Sequence, residues 1–139
     1  MTQENVLCDI GFIGLGVMGK NLVLNLADNG YDIAAFDLNS EKIDEVIEQD
    51  ITEQNIINKS KIKQRVYGCS SYTQLLSRLK SPHLIVLSVP AGAPVDQICE
   101  NLIGAGIQPD DIVIDTGNSL WIDTVKREAK YKANFILFS

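Results

Sequence analysis

Residues 8–37 decide the fold, and they read CDIGFIGLGVMGKNLVLNLADNGYDIAAFD. A short apolar run leads into three glycines, which are followed by apolar residues at helical spacing and by a second apolar run that Asp37 closes. We therefore predict a strand at 8–13, a helix at 17–29 that Gly30 terminates, and a second strand at 31–36.

The three glycines between the first strand and the helix each meet a different geometric demand. Gly14 permits a tight turn, Gly16 lets the backbone approach a phosphate, and Gly19 lets the helix pack closely on the strand. The free N–H groups at the start of the helix favour the pyrophosphate of a dinucleotide. The alternative is a glycine turn in an ordinary α/β protein. The loop residues predicted to bind the dinucleotide are Gly14, Leu15, Gly16, Val17, Met18 and Gly19, with Met18 also expected to fill the core.

Asp37 lies 18 residues after Gly19, at the predicted end of the second strand. A carboxylate at this position accepts hydrogen bonds from the adenosine ribose of NAD and repels the 2′-phosphate of NADP. The alternative is a solvated aspartate at a strand end. The position of Asp37 therefore predicts that the cofactor is NAD in preference to NADP.

The rest of the chain continues to alternate between strand and helix patterns. We predict further strands at 65–69, 83–89, 111–115 and 135–138, and helices from 39 or 40 through 47 and at 71–80, 95–103 and 120–131. Residues 50–64 are polar and form either an extension of the helix that begins at 39 or 40 or a mobile connection. This alternation predicts one α/β domain over residues 1–139, a Rossmann-type doubly wound parallel sheet of about six strands in the order 3-2-1-4-5-6.

Composition, net charge and cysteine content limit the kinds of binding partner and the cellular compartment that we expect. The 139 residues are 45% hydrophobic and 22% charged, as in a soluble globular protein, and the net charge of -6 argues against nucleic acid and anionic membranes. Three scattered cysteines indicate neither disulfides nor a metal site and suit the cytoplasm. An acidic run, expected to form a solvated helix face, comprises Glu41, Asp44, Glu45, Glu48 and Asp50.

Residues 8–37, together with LKSPHLIVLSVPAGAPVD at 79–96 and DDIVIDTGNS at 110–119, resemble the N-terminal domain of the 6-phosphogluconate dehydrogenases, which are β-hydroxyacid dehydrogenases. The element Gly117-Asn118-Ser119 is more specific to this family than the glycine loop. Hydroxyisobutyrate-type dehydrogenases, which share the loop and the early aspartate but lack this element, are the alternative. The resemblance implies an oxidoreductase that transfers hydride from C3 of 6-phosphogluconate to NADP, after which the β-keto acid decarboxylates.

The resemblance also implies which further residues form the site. Those expected at the cofactor are Asp37, Leu38, Asn39, Val89, Pro90, Ala91 and Asn118. Asn118 is expected between the nicotinamide and the substrate, which Asn118 and Ser119 are expected to bind.

Three departures from the family pattern bear on the cofactor and the substrate. The arginine with which the family clasps the 2′-phosphate is Leu38 here, so charge-assisted recognition of NADP is lost and NAD is favoured over NADP. Lys42 is the nearest cation, but on a helix we expect it to be solvated. A loop lysine is replaced by Pro90, and the glycine before Gly-Asn-Ser is Thr116.

The resemblance places the general base, a lysine, and the general acid, a glutamate, beyond Ser139, together with a helical substrate and dimerisation domain. We therefore expect no catalytic and no metal-binding residue in this chain, and cofactor binding without turnover of a sugar-acid phosphate. A nucleotide-sensing or interaction module, or an inert remnant, is the alternative, and a homodimer stays open. His83 has no evident carboxylate partner and is expected to be structural, while Trp121 is expected to pack on the sheet or on another domain.

Overall fold

A computed structural model describes residues 6–57, 64–117 and 119–138. Within them, strands and helices alternate in the predicted order. The elements are β1 (Ile10–Ile13), α1 (Val17–Asp28), β2 (Ile33–Phe36), α2 (Ser40–Ile57), β3 (Val66–Gly68), α3 (Tyr72–Ser77), β4 (Leu84–Leu87), α4 (Ala93–Ala105), β5 (Ile112–Asp115), α5 (Trp121–Tyr131) and β6 (Ile136–Phe138).

All six strands form one parallel sheet in the order β3-β2-β1-β4-β5-β6, which confirms the predicted Rossmann-type topology. Helix α1 packs on α2, and α3 packs on α4. The strand order reverses between β1 and β4, where the two halves of the fold wind in opposite directions. A crevice opens at such a switch point, outside the carboxyl ends of the strands.

Hydrogen bonds between neighbouring strands fix the loops at this carboxyl edge. The amide of Gly14 donates to the carbonyl of Phe36 at 3.0 Å, and the amide of Ser88 donates to the carbonyl of Ile13 at 2.8 Å. The amide of Thr116 donates in the same way to the carbonyl of Leu87 at 3.0 Å. The first residue of each loop is therefore bonded to the last residue of the adjacent strand, and the three loops lie side by side along this edge.

At the opposite edge of the sheet, where the amino ends of the strands lie, a carboxylate binds backbone amides of two segments. Asp111, which is buried, accepts the backbone amide of His83 at 2.7 Å and the amide of Gln108 at 2.8 Å, and it contacts the His83 ring Nδ1 at 2.8 Å. His83 thus has the carboxylate partner that its sequence neighbourhood does not reveal. The pair lies at the amino ends of β4 and β5, away from the crevice, which fits a structural role for His83.

Helix α2 continues through Ile57, so the first part of the 50–64 stretch is the helix extension, one of the two predicted alternatives. The expectation that Asp50 lies on a solvated face is wrong, since its residue is buried. One oxygen of this carboxylate accepts the amides of Arg65 at 2.8 Å and Val66 at 3.0 Å. Asp50 therefore serves the unpaired amides at the start of β3, and burial raises its pKa above the ordinary value.

One face of β4, β5 and β6 carries apolar side chains that remain accessible. Register and strand alternation place six residues on the face that holds Phe12 of β1. They are Leu84, Val86, Ile112, Ile114, Ile136 and Phe138, all half-buried or exposed. The intervening residues that face the other side, such as Ile85 and Val113, are fully buried. Parallel sheets are ordinarily covered on both faces.

The glycine loop yields a matched pair of substitutions that tests its packing. A Cβ at Gly19 would collide with the carbonyl oxygen of Gly14, whereas a Cβ at Gly16 would meet nothing within 4 Å. We expect Gly19→Ala to lower the free energy of unfolding by about 1–3 kcal/mol. Gly16→Ala should change that free energy by less than about 0.5 kcal/mol, because its backbone is in an ordinary extended conformation. Urea unfolding measures both, and equal losses in the two variants would contradict the packing described for Gly19.

Candidate functional site

The start of α1 faces the crevice with its backbone N–H groups free of competing side chains. Gly16 is the N-cap residue, it makes no side-chain cap, and the first turn contains no acidic residue. Gly14 before it turns the chain with φ of +101°, and a side chain there would collide with the Ser88 carbonyl. The loop thus meets the demands predicted for Gly14 and Gly19 and leaves open space above Gly16.

Asp37 ties the glycine loop to the end of β2. One of its carboxylate oxygens accepts the amide of Leu15 at 2.8 Å, and the other accepts the amide of Asn39 at 2.8 Å. Leu15 is buried, so this bond holds the loop from beneath. Each oxygen retains capacity for another donor, because a carboxylate oxygen has two lone pairs.

Two hollows open along the carboxyl edge and meet above Gly16. The first, the β2–α4 hollow, has a volume of about 470 Å³, and its lining includes Gly14, Asp37, Leu38 and Pro94. The second, the α1–β5 hollow, has a volume of about 370 Å³, and its lining includes Val17, Met18, Ala91, Thr116 and Gly117. The residues that line both are Gly16, Ser88, Val89 and Pro90.

Helices α3 and α4 bring side chains to the β2–α4 hollow that sequence reasoning missed. They are Tyr72, Pro94, Gln97 and Asn101, and Lys42 of α2 joins them instead of being fully solvated. The Tyr72 ring packs on that of Phe36 at 4.8 Å between centroids, and burial raises the pKa of its phenol. Their sequence signals are weak, because they reach the hollow only through the packing of α3 on α4.

The α1–β5 hollow is lined by apolar and small residues, and no described residue of its lining is ionisable. The expectation that Met18 fills the core is wrong: it is 65% exposed, because α1 buries Gly19, Val23, Leu24 and Ala27 on its other side. Thr116 donates its hydroxyl to the Leu87 carbonyl at 2.7 Å.

The end of β5 fixes the loop that leads into α5. Asp115 accepts the amide of Gly117 at 2.9 Å and the hydroxyl of Ser119 at 2.8 Å. Asn118, predicted to bind both cofactor and substrate, lies outside the described residues. Trp121 does not pack on the sheet, since 78% of it is exposed.

Most of the predicted cofactor residues that the structure describes line one or both of the two hollows. They are Gly14, Gly16, Val17, Met18, Gly19, Asp37, Leu38, Val89, Pro90 and Ala91. Two others do not. Leu15 supports the loop through its amide, and the side chain of Asn39 accepts the amide of Glu41 at 3.0 Å near the start of α2.

Other chemistries have little support in the described part of the chain. Cys8, Cys69 and Cys99 are free and buried, and burial raises their pKa values to about 12, 11 and 12, so thiolate chemistry is disfavoured. Among the described residues, no group of three or more metal-ligating side chains converges. No helix within the described ranges is long and apolar enough to cross a membrane.

Known proteins with similar sequences include 6-phosphogluconate dehydrogenases. Human 6-phosphogluconate dehydrogenase, decarboxylating, is 39% identical over 94% of this chain, and its Candida albicans counterpart is 38% identical over 94%. The chain spans about a quarter of their lengths, 25% and 23%.

Solved structures show the same relationship. The 6-phosphogluconate dehydrogenase of Plasmodium falciparum, studied in its apo form and in complexes with its cofactor NADP⁺ and its substrate 6-phosphogluconate, matches 94% of this chain with a TM-score of 0.81 at 31% identity. The match covers 26% of that protein. A Mycobacterium tuberculosis 3-hydroxyisobutyrate dehydrogenase at 17% identity, with a TM-score of 0.70 over 95% of this chain and 39% of its own, shares the fold.

The model of one protein family covers nearly the whole chain. It is described as the NAD binding domain of 6-phosphogluconate dehydrogenase, and it matches residues 9–138. The topology, the glycine loop and the relatives agree with this match, and the chain therefore belongs to the family of NAD-binding domains of 6-phosphogluconate dehydrogenase.

Proposed function

We propose that this domain binds a nicotinamide dinucleotide across the two hollows, with the adenosine in the β2–α4 hollow and the nicotinamide in the α1–β5 hollow. The observation that carries the proposal is that the hollows meet above Gly16, where a Cβ would find no atom within 4 Å. A pyrophosphate placed there lies at the N-terminus of α1, whose partial positive charge and free amides favour an anion.

We propose further that NAD is preferred over NADP. The Asp37 carboxylate lines the β2–α4 hollow and retains lone pairs for two ribose hydroxyls. A 2′-phosphate would bring negative charge against this carboxylate. Leu38 offers it no hydrogen bond, and Lys42 is the single basic side chain among the described residues of that lining.

The reaction that we propose for the whole protein is the oxidative decarboxylation of 6-phosphogluconate. The bound cofactor would supply the hydride acceptor, the C4 atom of its nicotinamide ring. The described lining of the α1–β5 hollow has no ionisable group, so residues outside that lining would move the protons of the substrate. Asn118 and Ser119 are the proposed contacts with the substrate. Three free, buried thiols suit a reducing compartment such as the cytoplasm.

Titration calorimetry with NAD⁺ and NADP⁺ tests the cofactor proposals. We expect micromolar binding of NAD⁺ and weaker binding of NADP⁺. The double variant Asp37→Asn with Leu38→Arg should shift the ratio of the two affinities toward NADP⁺ by roughly 10- to 100-fold, since it removes a repulsive charge and adds a charge-assisted donor. Leu38→Arg alone should give a smaller shift, because Asp37 remains.

Two control variants accompany that titration. Asp110→Asn removes an exposed carboxylate away from the hollows and should leave the ratio unchanged. Gly16→Ala should keep the fold yet weaken both cofactors, because its methyl group occupies the space proposed for the pyrophosphate. Tighter binding of NADP⁺ than of NAD⁺ by the wild-type protein would contradict the role of Asp37, and an unaffected Gly16→Ala variant would contradict the placement of the pyrophosphate.

The uncovered sheet face favours a second function, self-association. Edge strand β6 exposes Ile136 and Phe138 next to the half-buried side chains of β4 and β5 on the same face. Such a contiguous apolar surface ordinarily marks an interface. We propose that the chain forms a dimer in which the uncovered sheet faces of the two copies pack against each other.

Sedimentation velocity tests this proposal. We expect a mass twice that of the chain at high micromolar concentration, and a monomer for Ile136→Lys with Phe138→Lys, since both side chains are exposed and the charges would be buried in the dimer. Thr73→Lys with Ala133→Lys adds the same charges at other exposed positions and should leave the dimer intact. A wild-type monomer at all concentrations would rule out self-association.

A further inference from the structure

Arg127 links α5 to the start of α4 through a buried guanidinium group. Its Nε donates to the carboxylate of Asp96 at 2.9 Å, and its Nη2 donates to the Gly92 carbonyl at 3.1 Å and to the second Asp96 oxygen at 3.3 Å. The Arg127 side chain is 9% exposed. The guanidinium therefore grips both a backbone carbonyl and a side chain at one helix end.

The segment that Arg127 binds lies in the chain between residues that line the two hollows. Gly92 follows Ala91 directly, has φ of +98°, and is the N-cap residue of α4. Before it in the chain, Pro90 lines both hollows and Ala91 lines the α1–β5 hollow, and after it Pro94 and Gln97 of α4 line the β2–α4 hollow. Arg127 therefore holds the turn that connects these two sets of lining residues.

Stability alone does not account for a charge at this place. A guanidinium loses much of its hydration on burial, and a well-packed apolar side chain of similar size often stabilises a fold as well. Nη1 of Arg127 is buried and has no hydrogen-bond partner among the described residues, which adds to that cost. The bond from Arg127 holds the pKa of Asp96 below its usual range, so the pair stays ionised at neutral pH.

We propose that Arg127 is a positioning residue of the dinucleotide site, which fixes the segment from Val89 to Gly92 by clamping Gly92 and Asp96 to α5. The inference rests on the proposed function of dinucleotide binding. It assigns to Arg127 an effect on cofactor affinity although the side chain lines neither hollow.

Arg127→Met provides the test, since methionine preserves much of the packing and leaves Asp96, which is 39% exposed, to be solvated. We expect the affinity for NAD⁺ to fall on the order of tenfold at a temperature far below unfolding, because binding must then order the loop. Arg127→Lys should recover part of the loss, since an ammonium group reaches Asp96 but does not bridge it to Gly92.

Arg65→Met is the matched control. Nη1 of Arg65 also binds a glycine carbonyl, that of Gly30 at 3.1 Å, and an aspartate, Asp32 at 3.3 Å, but at the opposite edge of the sheet. Its affinity for NAD⁺ should equal that of the wild type even if its melting temperature falls. Equal affinities in Arg127→Met and Arg65→Met would overturn the positioning role.

Amide hydrogen exchange makes the test independent of the ligand. Without the clamp, the amides of residues 89–97 should exchange faster in Arg127→Met and at the wild-type rate in Arg65→Met. If the wild-type protein fails to bind NAD⁺, the proposed function falls and with it the predicted loss of affinity. Unchanged exchange of residues 89–97 in Arg127→Met would overturn the inference whether or not NAD⁺ binds.

Discussion

The hydrogen bond from the Leu15 amide to Asp37 is the interaction on which the site depends most. It joins the glycine loop after β1 to the end of β2 at 2.8 Å, and the other oxygen of the same carboxylate accepts the amide of Asn39, the residue before α2. A single carboxylate thus holds both the glycine loop and the residue that precedes α2. The same carboxylate faces the β2–α4 hollow, so the structural bond and the proposed recognition of ribose draw on one residue.

The charged groups at the amino ends of the strands differ from those around the two hollows at the carboxyl ends. At the amino edge, Asp111 satisfies backbone amides of two segments, Asp9 pairs with Lys80 at 2.7 Å, and Arg65 pairs with Asp32. At the carboxyl edge, Lys42 is the single basic side chain in the described lining of the two hollows. An acidic protein can accept a doubly charged pyrophosphate there because helix N–H groups, which need no lysine, provide the attraction.

Local patterns were sufficient for the fold and for the glycine loop. Strand and helix alternation predicted the order of the sheet, because right-handed parallel connections leave few alternatives. Asp50 and Met18 were misplaced, since burial in each case depends on how elements pack together: the free amides at the start of β3 take Asp50 inward, and α1 packs on the fold with a face that excludes Met18. Tyr72 and Gln97 were missed for a similar reason, because they line the same hollow as Asp37 only after α3 and α4 have packed.

The central claim is that a dinucleotide lies over Gly16 between the two hollows. Backbone amide chemical shifts, measured by NMR while NAD⁺ is added to the wild-type protein, test it most directly. We expect the largest changes in residues 14–19, 37–39 and 89–92. A larger hollow of about 860 Å³ runs beside β3, lined in part by Ile47, Ile51, Tyr67 and Arg78. Changes concentrated on those four residues, or no changes in residues 14–19, would contradict the claim.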